Sequence, residues 1–101
     1  MNYIDITMYK PNEVIGLLIA VSDQLNISHG GKAYFGVFLN QMNVINSISS
    51  KYNLGIHANT RNMECYSLYI NEIASSLVEK GILDESRLLS DLKAYLLQNP
   101  L

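Results

Sequence analysis

The residues of this chain best equipped for chemistry are His29, His57, Cys65, a glycine pair before Lys32 and a scatter of carboxylates. Two imidazoles and a thiol are ligands that zinc accepts. A zinc site normally announces itself by two ligands separated by about two to four residues, and no such pair occurs here. His29 and His57 are therefore read as surface or helix-end histidines. A Cys65–histidine nucleophile would need the fold to bring the two together, and Cys65 falls inside a predicted helix, where a buried, inert thiol is the simpler reading. Gly30-Gly31-Lys32 has the look of a phosphate-binding loop. That motif also needs a glycine at position 26 to shape the loop and a hydroxyl at 33 for Mg²⁺, and the chain has Asn26 and Ala33. The stretch Ser28–Gly31 reads instead as an interhelical turn. Carboxylates doing acid–base work need burial to tune them. Asp84 is better explained as a helix cap, and Glu64, Glu72 and Glu79 lie away from any apolar stripe. The chain is thus expected to be a binder without catalysis, cofactor or metal.

The elements that would position these residues are mostly helical. With 101 residues, 49% of them apolar and 16% charged, the chain can bury a core and is expected to form one domain over residues 1–101. Tyr3, Asp5, Thr7 and Tyr9 alternate with Ile4, Ile6 and Met8 over residues 1–10, the period of an extended segment with one buried face. That segment is expected to lie across the helices or to pair with a second copy as a homodimer. Pro11 and Glu13 then suit the first turn of a helix over about 11–25, apolar nearly all round, with Gly16 marking the close approach of another helix. The run Val14–Val21 is too short to span a bilayer and reads as a buried helix.

A second helix is expected over about 32–53, with Tyr34, Phe38, Met42, Ile45, Ile48 and Tyr52 on one face, Asn40, Asn43 and Ser47 on the other, and Leu54-Gly55 as its stop. The third, over about 60–80, is capped by Asn59 or Thr60 and carries Tyr66, Ile70, Ile73 and Leu77 towards the core. Gly81 ends it, with Ile82 making the apolar contact that accompanies such caps. The fourth runs over about 85–98. Asp84 is its N-cap, Leu83 and Leu88 form a hydrophobic staple, and Leu88, Leu89, Leu92, Tyr95 and Leu96 form its apolar face. The expected fold is mostly α: a compact antiparallel four-helix bundle with a short extended N-terminal segment.

Laid out at about 100° per residue, the third helix places Glu64, Leu68, Glu72, Ser75 and Glu79 within about 80° of one another, with Asn71 beside them and the core stripe opposite. No positive residue on this face offsets the three glutamates, and an apolar Leu68 sits among them. Such a face suits a basic protein partner, through steering and through complementarity. Glu64, Leu68, Glu72, Ser75 and Glu79 are therefore the expected partner-binding residues.

Charge distribution narrows the partner. Residues 1–61 carry Lys10, Lys32, Lys51 and Arg61 against Asp5, Glu13 and Asp23, a net of +1, while residues 62–101 carry a net of −3. There is no basic stripe for a phosphate backbone, so no nucleic-acid binding is expected. The single cysteine excludes an internal disulfide and fits a reducing, cytoplasmic compartment. No membrane insertion is expected.

In size, helical character, acidic surface and lack of a catalytic motif, the chain resembles the small helical immunity proteins of bacterial toxin systems, those guarding against bacteriocins or contact-dependent inhibition toxins. The resemblance implies a cytoplasmic inhibitor that binds a cognate toxin and blocks its active site or a surface it needs. Many such toxins are nucleases with basic clefts, which suits an acidic face. The immunity proteins of pediocin-like bacteriocins are often basic, and this chain departs from them. Other readings are a small regulatory or assembly protein that dimerises through residues 3–9, and a phage-encoded inhibitor of a host defence enzyme.

Overall fold

The computed structural model describes residues 11–27, 38–58 and 63–99; side chains of 11, 38–41 and 63–65 are not described. Four helices fill most of this length: α1 (Pro11–Gln24), α2 (Phe38–Lys51), α3 (Met63–Glu79) and α4 (Glu85–Gln98). No strand occurs among the described residues. The expected extended segment Tyr3–Tyr9, the glycine turn 28–31, the start of the second helix at 32–37 and the caps Asn59 and Thr60 all lie outside them. The fold is the mostly α four-helix bundle that the apolar spacing predicts.

The bundle is built around α1. Val14, Leu17, Leu18, Ala20 and Val21 are all buried, as the nearly all-round apolar character of this helix requires. α1 packs against α4 and α3, and α2 packs against α3. Three contacts fix α1 and α4 as an antiparallel pair. Asn12 Nδ2 donates to the Asn99 carbonyl at 2.8 Å at one end, Gly16 faces Leu92 and Tyr95 in the middle, and the Gln24 amide holds the Asp84 backbone at the other. A Cβ on Gly16 would come within 2.7 Å of the Tyr95 ring and 2.9 Å of Leu92 Cδ1. The glycine that costs helix propensity is therefore the one that lets α4 approach.

From the other helices come Ile45 and Ile48 of α2, Tyr66, Ile70, Ile73 and Leu77 of α3, and Leu88 and Leu92 of α4, all buried. Met42 and Tyr52 of the expected α2 stripe are only partly buried, and Tyr34 and the Phe38 side chain are outside the described residues. The Leu83–Leu88 staple forms as expected, with both residues buried around the Asp84 N-cap, whose carboxylate accepts from the Arg87 N–H at 3.3 Å.

Three expectations need correcting. α2 stops two residues before 53, because Asn53 takes a left-handed conformation at φ 56° and ends the helix ahead of Leu54-Gly55. Ile82 is not buried at the Gly81 cap: it is 42% exposed, and Leu83, whose N–H also turns back to the Leu77 carbonyl, is the buried residue there. Leu89 is not part of the α4 core face, being 44% exposed, since adjacent residues on a helix point about 100° apart and Leu88 already takes the inward position.

Candidate protein-binding surface

α3 carries the expected binding face, and its packing decides how much of that face is open. Between α1 and α2 the helix buries Tyr66, Ser67, Ile70, Ile73, Ala74, Ser75 and Leu77, an arc of roughly 200° around its axis. What remains is a narrow strip in which Leu68 is 55% exposed and Glu72 and Glu79 are exposed beside it. Glu64 lies in the first turn of α3 with its side chain outside the described residues.

Ser75 is a correction. The helical register puts it with the glutamates, yet it is 2% exposed and its Oγ has no hydrogen-bond partner among the described residues. Packing on two sides of α3 extends burial past the single apolar stripe, and small residues such as Ser67, Ala74 and Ser75 are what such close packing admits. Ser75 therefore cannot touch a partner without the fold opening. Asn71, beside the strip, is half-buried with its Oδ1 likewise unpartnered among the described residues.

The residues that could do metal or nucleophilic chemistry are not gathered into a site. His57 is exposed beyond α2, while His29 and the Cys65 side chain lie outside the described residues. Among the described residues no group of three or more His, Cys, Asp or Glu stands where it could hold a metal ion. Among them, too, no helix is long and apolar enough to cross a membrane.

Two further surface features were not anticipated. One is a groove between α1 and α4 lined by Gly16, Ala20, Asp23, Arg87, Asp91 and Tyr95, where Arg87 Nε and Asp91 Oδ2 pair at 3.8 Å and burial pushes the Tyr95 phenol above its ordinary value. The other is an apolar concavity of about 320 Å³ along α4, lined by Leu89, Leu92, Lys93, Leu96 and Leu97, with Leu97 75% exposed. The doublets Leu88-Leu89 and Leu96-Leu97 carry a signal for it, because two adjacent leucines cannot both face one core from a single helix.

Comparison with protein-family models, curated proteins and solved structures gives no match to this chain.

Proposed function

We propose that this protein is a binding inhibitor of a basic protein, of the toxin-immunity kind, and that Leu68, Glu72 and Glu79 on α3, with Glu64, form its contact face. The observation that supports this reading is the pairing of an exposed Leu68 with exposed carboxylates on one rigid helix. An apolar residue bordered by polar ones matches the core-and-rim anatomy of protein interfaces. The acidic residues would attract a basic cleft and set orientation, while Leu68 would contribute the desolvated contact. Ser75 stays out of that contact.

The test uses a basic toxin domain encoded beside this gene, co-expressed with the full chain. The protein should restore growth and copurify with the domain. Replacing Glu72 and Glu79 together by Lys should weaken binding at least tenfold, chiefly through slower association, and should flatten its dependence on ionic strength. Leu68→Asp should weaken it further without altering the thermal midpoint. Unchanged affinity and salt dependence in the double charge reversal would remove α3 as the contact face, and failure to protect against the domain would remove the inhibitor reading.

A further inference from the structure

α4 presents a second exposed apolar face, and its charges suit a copy of itself. Glu85, Leu89 and Lys93 follow one another at four-residue spacing, so they share one side of the helix, and Leu96 continues that side with Leu97 at its margin. Leu89 and Leu97 are 44% and 75% exposed, and with Leu92, Lys93 and Leu96 they line the apolar concavity along α4. The remaining charges of the helix are turned away from it. Arg87 and Asp91 pair with each other and line the groove shared with α1.

From this we infer that the protein self-associates through α4, two copies packing antiparallel about a two-fold axis at Leu89. In an isologous contact each residue meets its counterpart reflected through the axis. With Leu89 on the axis, Glu85 of one copy falls opposite Lys93 of the other, twice over. The turn bearing the exposed Ile82 falls near Leu96 and Leu97 of the other copy. An acid four residues before the central leucine and a base four residues after it are complementary only in the antiparallel arrangement; in parallel register like charges would face each other. The proposed contact uses α4 and the turn before it and none of Glu64, Leu68, Glu72 or Glu79, so the association does not rest on the inhibitor reading. With α4 only about 21 Å long, the contact belongs to the small class below about 1,200 Å² of total buried area, where weak and transient associations fall.

Sedimentation equilibrium of the full chain from about 1 to 500 µM tests the inference, alongside the helical circular dichroism of each variant. The expected result is a mass rising towards twice the monomer, with Leu89→Glu returning the protein to monomer while its helical signal is kept. Glu85→Lys and Lys93→Glu should each weaken the dimer about tenfold, and the double swap should restore most of that loss because the pair is remade in reverse. Lys93 is exposed, so its replacement reads the interface and not the fold. A chain that stays monomeric throughout would overturn the inference. So would a dimer indifferent to Leu89→Glu, or a double swap no tighter than the single ones.

Discussion

Asn46 spends its whole carboxamide on one residue: Oδ1 accepts the Ala58 N–H at 2.7 Å and Nδ2 donates to the Ala58 carbonyl at 3.0 Å. Ser49 Oγ accepts the Ile56 N–H at 2.9 Å, so the chain leaving α2 is tied back along it without forming a strand. Gln24 repeats the device between α1 and the start of α4, accepting the Asp84 N–H and donating to the Asp84 carbonyl, each at 3.0 Å. The two clamps differ in setting, because Ala58 is buried whereas the Gln24–Asp84 contacts are exposed. A buried backbone group that loses its partner costs about 1–3 kcal/mol, more than the net worth of a hydrogen bond in water. Asn46→Ala is therefore expected to lower stability by about 2 kcal/mol, read as a fall in the urea midpoint at constant slope. Asn46→Asp should not rescue it, since a carboxylate keeps the acceptor but faces the Ala58 carbonyl with no donor. Nothing local marks Asn46 in the sequence. It reads as one more polar residue on the outer side of a helix, and its bonds depend on where the chain travels twelve residues later.

Among the elements, three helices close with the same backbone motif, and two of the three use asparagine. After α1, Asn26 sits at φ 59° and the Ile27 N–H reaches the Ser22 carbonyl at 2.9 Å. After α2, Asn53 sits at φ 56° and the Leu54 N–H reaches Ser49 at 2.9 Å; after α3, Gly81 sits at φ 75° and Ile82 reaches Leu77 at 2.9 Å. Each pattern satisfies carbonyls that the last turn would otherwise leave bare. Glycine announces such a stop because little else favours it in a helix. Asparagine does not, being common in caps, turns and loops alike, which is why Gly81 is legible and Asn53 yields to the neighbouring Gly55 in a reading by sequence. Side-chain strain in the left-handed region gives the test its sign. Asn53→Gly should raise stability by up to about 1 kcal/mol, and Asn53→Ala should lower it by about 1 kcal/mol. For a domain of this length those changes correspond to thermal midpoint shifts of about 4–8 °C in opposite directions. Equal effects of the two replacements would mean that backbone conformation at residue 53 is not what ends α2. The start of α4 is legible because a cap, a staple and an apolar stripe agree there. The open face of α3 is legible in Leu68, Glu72 and Glu79, and misjudged in Ser75, because helical register reports direction and not how many neighbours a helix has.

Across the whole molecule the first and last helices form the antiparallel pair, with α3 on another side of α1 and α2 reached through α3. α1 thus supplies the surface on which both α3 and α4 are held, while α2 depends on one of its neighbours. Leu17 is fully buried in the middle of α1, one residue from the Gly16 contact with α4. Leu17→Ala leaves a cavity in the core around α1, at a cost of about 2–5 kcal/mol, against a total stability for such a domain of about 5–15 kcal/mol. The loss should appear as faster amide exchange in α1 and α4 together, by the same factor, since neither can keep its apolar face covered without the other. Leu68→Ser, on the open strip of α3, should move exchange and melting by no more than about 0.5 kcal/mol. If Leu17→Ala speeds exchange in α1 while α4 stays protected, then the two helices do not open as one cooperative unit, and the contacts from Asn12 to Asn99 and from Gln24 to Asp84 do not couple them.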